Sequence, residues 1–219
     1  MTTTAILPIK TLDRAKQRLA TELDAMPRRS LVEAMFSDAL IALRRAKAID
    51  AVLVITPDHV AQRIAAGYGA EVTEDADTGH NDAARRGIER ATALGADRVL
   101  LVPGDCPLLD PDELDELASR RLRARSVLVV PDRHGTGTNA LVITPPGAFE
   151  PSFGEGSHDR HLEQARAAGL TAESAPVPSL ALDVDTPEDL AVLIDALGSS
   201  RGGAALTRGM LRQLVRSRG

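Results

Sequence analysis

Residues 98–111 read R-V-L-L-V-P-G-D-C-P-L-L-D-P, an aliphatic run that halts at Pro103-Gly104-Asp105 and gives way to a helix start at Asp110-Pro111. Such a run bounded by turn residues reads as a strand, and Asp followed by Pro is a helix-opening signal. A strand that stops on a carboxylate presents it at the C-terminal edge of a sheet, where open α/β folds take their ligands. The same grammar returns at 180–190, L-A-L-D-V-D-T-P-E-D-L, where Asp183 and Asp185 close an apolar run ahead of Thr186-Pro187. Hard carboxylate oxygens from two such places suit Mg2+ bound beside phosphates. Opposite charge gathers at 4–19, T-A-I-L-P-I-K-T-L-D-R-A-K-Q-R-L, where an apolar run enters a loop carrying Lys10, Arg14, Lys16 and Arg18, cations able to hold a triphosphate.

Outward from these three points, short apolar runs alternate with longer helical patterns. Strands are expected at Ala5–Ile9, Ala51–Thr56, Glu71–Thr73, Arg98–Val102, Val127–Val130, Ala140–Ile143 and Leu180–Val184. Between the first two, Arg28–Lys47 sets Leu31, Met35, Ala39, Ile41 and Leu43 near one helical stripe. Further helices are expected to open at Pro57-Asp58, Asn81, Asp110-Pro111 and Asp185-Thr186-Pro187. Repeated β-α alternation favours an α/β fold, with a mainly parallel central sheet and helices on both faces.

Composition narrows the partners. The 219 residues are 43% hydrophobic and 26% charged, in keeping with one soluble globular core. Aromatic residues make up 2%, with no Trp, and the net charge is −5, which leaves little for stacking on or attracting nucleic acid. No apolar run approaches the roughly 20 residues that span a bilayer, so neither nucleic acid nor membrane is an expected partner. A single cysteine, Cys106, excludes an internal disulfide and fits the reducing cytoplasm. Beyond Gly198 the chain turns basic. Five of the 26 basic residues lie there and none of the 31 acidic ones, so the body carries about −10 and phosphates need local cations. Leu206, Met210, Leu211, Leu214 and Val215 could form an apolar stripe on a short helix in that tail, which suggests a docking segment or a disordered end, with a hint of a homodimer contact.

Two loops have the chemistry of anion cradles. D-R-H-G-T-G-T-N-A-L at 132–141 combines glycines that let backbone N–H groups approach a ligand with the hydroxyls of Thr136 and Thr138. S-F-G-E-G-S-H-D-R-H at 152–161 ends in Ser157 at a helix N-cap position, where free N–H groups favour an anion. Simpler readings stand beside these. Asp185 sits where a helix cap would sit, and Asp105 follows Pro-Gly as turn residues do. His134, His158 and His161 lack a second dense ligand motif for zinc, and Cys106 reads as a small packing residue.

Taken together, P-I-K-x-L-x-x-A-K-x-R-L, G-H-N-D-A at 79–83, V-P-G-D-C-P, D-R-H-G-T-G-T-N-A-L, F-G-E-G-S-H and D-V-D-T-P-E-D-L resemble one family. It comprises the guanylyltransferases that make the precursor of coenzyme F-420, including 2-phospho-L-lactate and phosphoenolpyruvate guanylyltransferases. The resemblance implies a Rossmann-like nucleotidyltransferase fold over residues 1–198, with a basic tail, 199–219, outside it. It implies transfer of GMP from GTP to a small phosphocarboxylate, with release of pyrophosphate. Asp105, Asp183 and Asp185 would hold one or two Mg2+ ions, and Lys16 with Asp105 would carry the catalysis. Lys10, Lys16, Arg18 and Asn81 would attend the nucleotide, Asn81 either there or as a cap for the next helix. Thr138, Gly154 and Ser157 would surround the acceptor. Phosphoenolpyruvate is favoured over 2-phospho-L-lactate and 3-phosphoglycerate, with a transient contact to the next pathway enzyme. A nucleotidyltransferase of other specificity, molybdopterin- or CTP-directed, and a non-catalytic nucleotide-binding module remain alternatives.

Overall fold

The structure, a computed structural model, describes residues 1–12, 15–120, 124–199 and 202–217. The sequence alternation becomes a seven-stranded sheet of order β3-β2-β1-β4-β6-β5-β7. Its strands are β1 Thr3–Pro8, β2 Ala51–Thr56, β3 Glu71–Glu74, β4 Arg98–Leu101, β5 Ser126–Pro131, β6 Thr138–Thr144 and β7 Thr171–Ser174. All run parallel except β6, which is antiparallel to β4 and β5. Period-two side-chain alternation divides the core: Ala5 and Leu7 of β1 face one side with Val52, Val54 and Leu100, while Ile6 faces the other with Leu53 and Ile55.

Helices cover both faces, as expected. On the first lies α1, Ala25–Arg45, whose Leu31, Met35, Leu40 and Leu43 are buried against the sheet. It is accompanied by α2 His59–Gly67, α4 Pro111–Ser119 and α6 Pro187–Ser199. On the second lie α3, His80–Ala93, and α5, Ser157–Ala167. The close approach of α3 depends on Gly87, because a Cβ there would meet Ile6 Cγ2 at 2.4 Å. Among the described residues, no helix is long and apolar enough to cross a membrane.

One strand expectation needs correction. Leu180–Val184 is not a strand. A 3-10 turn at Pro178–Leu180 precedes an irregular segment, whose backbone is bonded by a side chain and a loop carbonyl and not by a neighbouring strand's backbone. Asn139 Nδ2 donates to the Leu180 carbonyl at 2.7 Å, and Val184 N–H donates to the Asp105 carbonyl at 3.2 Å. The seventh strand is β7, earlier in the chain. The basic C-terminal segment takes the docking form of the two expected for it, not the disordered one. There α7, Ala205–Ser217, packs against α1, placing Met210, Leu211 and Leu214 on the main core. Buried Asp38 of α1 accepts hydrogen bonds from Leu206 and Thr207 N–H at 3.1 and 2.8 Å, satisfying the first turn of α7. The middle of the apolar stripe is therefore used within the chain, while Leu206 and Val215 at its two ends are exposed.

Candidate active site

The C-terminal ends of β1, β4 and β5 and the start of the reversed β6 meet at one edge of the sheet, as the topology requires. They open into a cleft of about 720 Å³. Its lining brings together Lys10, Lys16, Arg18, Asp105, Asp183 and Asp185, and across from them Thr138, Gly154 and Ser157. Arg14 lies outside the described residues. The loop after β1 is tied down by Asp58, whose carboxylate accepts from Leu12 N–H at 2.9 Å and caps α2 through Val60 and Ala61 N–H at 2.8 and 3.0 Å. Burial would raise the Asp58 pKa, but these three donors and Arg29 hold it below the usual range.

Lys16 is the hub of the charged end. Its Nζ bonds both Asp105 Oδ2 and Asp185 Oδ1, carboxylates 89 and 169 residues away in sequence. Burial alone would lower its pKa, yet the paired carboxylates outweigh that and raise it, so the ammonium stays charged. Its backbone is left-handed at φ 55°, a conformation that costs a non-glycine residue roughly 1–2 kcal/mol. Asp185 is not a helix cap. Thr186 Oγ1 accepts from Asp189 N–H at 3.2 Å, and Asp189 reaches back to accept from Asp185 and Thr186 N–H at 3.0 and 2.8 Å. The Asp185 side chain is thereby left for Lys16. Arg133 contacts Asp189 at 2.6 Å and connects this turn to the loop after β5.

Asp183 is held by Asn139 Nδ2 at 3.2 Å, but burial, then the charges of Asp105 and Asp185, raise its pKa. Asp105 Oδ1 is buried without a hydrogen-bond partner. Among the described residues, no group of three or more His, Cys, Asp and Glu side chains is arranged to hold a metal ion. The ammonium of Lys16 instead lies between two of the three acids. The donor set nevertheless fits a hard divalent cation. It offers carboxylate oxygens only, one of them unpaired, and three carboxylates exceed the single bridging ammonium in charge.

At the opposite end the groups that face the cleft from Thr138, Gly154 and Ser157 are neutral, and charged Asp132 and Arg160 brace the loops behind them. Gly154 has φ 135°, open to glycine, and its carbonyl accepts from Ser157 N–H at 3.1 Å. Gly156, at φ 64°, and not Ser157, occupies the cap position of α5. Ser157 Oγ donates to Thr138 Oγ1 at 3.1 Å. Asp132 Oδ1 folds its own loop by accepting from His134 and Thr136 N–H at 3.1 and 3.0 Å. Arg160 clamps the second loop, with Nη2 on the Ser152 carbonyl at 2.6 Å and Nη1 on that of Glu155 at 2.7 Å.

Asn81, expected at the nucleotide or at a helix cap, is not the cap, which is Gly79, and stands outside the cleft lining. Its Oδ1 accepts from Phe153 N–H at 2.8 Å and its Nδ2 donates to the Phe153 carbonyl at 3.2 Å, so it braces the loop before α5. Its neighbour His80 lines the cleft instead. Asp132, Asn139, Arg160 and His161 are organising residues to which the motif reading gave no such role, His161 having been weighed there only for zinc. For His161 a signal existed, since it stands four residues after Ser157 on one helical face. His158 contacts Asp159 and Ser174, and His161 contacts Thr138 and Ser152, so the histidines serve hydrogen bonds here. Cys106 is buried, with its thiol pKa pushed up by burial, in keeping with packing.

Comparison with known proteins gives the family. The family model described as "Guanylyl transferase CofC like" matches residues 3–214 and thus extends through most of α7, beyond the body to which the motif resemblance was confined. A phosphoenolpyruvate guanylyltransferase from Conexibacter woesei is 53% identical, over 99% of this chain and 98% of its own. One from Sphaerobacter thermophilus is 42% identical, over 87% and 91%. Among solved structures, a cytidylyltransferase from Leptospira borgpetersenii superposes with a TM-score of 0.62 at 16% identity, covering 100% of this chain and 96% of the other, a likeness of fold.

Proposed function

This chain belongs to the CofC-like guanylyl transferase family, and on that footing we propose that it transfers GMP from GTP to the phosphate of phosphoenolpyruvate, releasing pyrophosphate, in the synthesis of coenzyme F-420. The observation that carries the reading is the single cleft in which Lys16 bridges Asp105 and Asp185 opposite the hydroxyls of Thr138 and Ser157. An oxygen of the acceptor phosphate forms a bond to the α-phosphorus of GTP while the bond from that phosphorus to the β-phosphate oxygen breaks. The acceptor is already an anionic nucleophile, so the site needs no serine, cysteine or histidine nucleophile and no strong base. What it must supply is alignment and relief of phosphate repulsion.

Asp105, Asp183 and Asp185 would hold Mg2+, which when bound neutralises charge on the phosphates. Lys16 keeps two of these carboxylates in register and adds a fixed positive charge beside the reacting groups. Lys10 and Arg18, both exposed on the rim, are free to meet the triphosphate and draw off the departing pyrophosphate. Thr138, Gly154 and Ser157 present a neutral hydrogen-bonding wall to the phosphocarboxylate. Such a wall orients the acceptor without competing for the metal. Pyrophosphate release with GTP, Mg2+ and, in turn, phosphoenolpyruvate, 2-phospho-L-lactate and 3-phosphoglycerate tests the reading. Release is expected with phosphoenolpyruvate. Turnover with another acceptor, or with CTP in place of GTP, would overturn the specificity, and no release with any would overturn the activity.

A further inference from the structure

On the footing of that acceptor reading, we propose that His161 is a positioning residue that makes the Thr138 hydroxyl an obligatory hydrogen-bond donor toward the anionic acceptor. The argument begins at a group that cannot change role. The backbone N–H of Ser152 donates to His161 Nε2 at 2.9 Å. That nitrogen must therefore carry a lone pair, and in a neutral imidazole the proton then resides on Nδ1. Nδ1 lies 3.0 Å from Thr138 Oγ1, so it donates to that hydroxyl. Ser157 Oγ also donates to Thr138 Oγ1, at 3.1 Å. With both acceptor positions of Thr138 filled, its own proton is turned into the cleft that Thr138 lines.

The opposite tautomer would reverse the polarity. A lone pair on Nδ1 would take the Thr138 proton and leave oxygen lone pairs facing a phosphate or carboxylate. The ring is fixed against that rearrangement. His161 is fully buried, and Phe149 and Phe153 meet it edge-on at centroid distances of 5.7 and 5.2 Å. Burial, followed by the nearby charges of Arg160 and His158, lowers its pKa to about 4 and keeps the ring neutral near pH 7. The chain from Ser152 through His161 to Thr138 thus converts the direction of one backbone N–H into the donor character of one hydroxyl.

The test uses the full chain. Imidazole 15N NMR of the wild type is expected to place the His161 proton on Nδ1. His161→Gln retains an acceptor near the Nε2 position for Ser152 but removes the donor to Thr138, whereas His161→Asn retains a donor near the Nδ1 position. For Gln, the acceptor KM is expected to rise about 10- to 100-fold, the effect of losing one hydrogen bond to a charged group, with the GTP KM unchanged. Asn is expected to recover most of that loss. In an active wild type, a proton on Nε2, or equal losses in Gln and Asn with a parallel rise in the GTP KM, would overturn the role of His161 alone. A wild type inert toward every phosphocarboxylate would overturn the acceptor reading beneath it.

Discussion

At one end of the cleft three carboxylates face a single ammonium, one oxygen of Asp105 is left unpaired and the Asp183 pKa is raised. At the other end Ser152, His161, Thr138 and Ser157 form a neutral chain in which every member is hydrogen-bonded. The charged end is under-satisfied, and on the proposed reading GTP and Mg2+ would complete it. The neutral end is complete beforehand, so its contribution is geometry. Substitutions should therefore separate. Those among the carboxylates should remove activity while sparing the fold or even strengthening it, and those in the neutral chain should weaken acceptor binding and the fold together.

The largest effect is expected from Asp105→Ala. Losing a preorganised electrostatic group at a phosphoryl-transfer site costs roughly 10²–10³ in kcat, and pyrophosphate release should fall at least that far while the thermal midpoint does not drop. A variant that unfolds instead would place Asp105 in the structural scaffold and erase the contrast. Next comes Thr138→Val at the neutral end. It keeps the shape and removes the hydroxyl, and should raise the acceptor KM about 10- to 100-fold while leaving the GTP KM near its wild-type value. Equal changes in both would mean that the two ends are not separate subsites.

The pH dependence of stability sharpens the same line. The folded His161 pKa of about 4 lies below the ordinary value of 6.5. Between those values the unfolded chain binds a proton that the folded chain does not, so stability falls as pH drops through that window and levels off below it. One such proton corresponds to about 1.4 kcal/mol per pH unit. Urea midpoints taken from pH 7 down to 4 should follow that slope, and His161→Asn should flatten it. A slope unaltered in the variant would assign the acid sensitivity to other groups.

How far the sequence was legible follows from the same division. Five strands could be read because Val, Leu and Ile cluster in them, and the edge strand β3 because Val72 and Thr73 put two β-branched residues in a row. β7, T-A-E-S, could not, since it is a short edge strand with a single small apolar residue and no buried face to announce it. The false strand at 180–184 has the right composition, but Pro178 and the side chain of Asn139 divert its backbone, and Asn139 lies about forty residues upstream. At the charged end, acids and cations advertise themselves by type, and Lys16, Asp105 and Asp185 do meet. At the neutral end the working groups are a backbone N–H, an amide and a histidine whose roles depend on which atom points where. Asn81 is the clearest case: the G-H-N-D motif marks it, yet its amide clasps the backbone of Phe153, 72 residues away.

The smallest effect is the most diagnostic, because its sign differs from ordinary mutational damage. Burial, then Asp105 and Asp185, raise the Asp183 pKa, which means that the folded protein bears a cost for keeping this carboxylate ionised at neutral pH. That cost is absent below the unfolded pKa, appears as pH rises through the window between the unfolded and folded values, and is fully present above the latter. Asp183→Asn removes the charge but retains an oxygen that can accept from Asn139 Nδ2. In metal-free buffer at pH 7 the variant should melt higher, by roughly 2–4 °C for each ~1 kcal/mol recovered. Adding Mg2+ and GTP should reverse the order, because ligands that bind the folded state stabilise the wild type in proportion to their affinity for it. A variant that melts lower in both conditions would mean that Asp183 is already satisfied by its neighbours. The acidic end would then be a structural network like the neutral one, and the contrast between the two would fail.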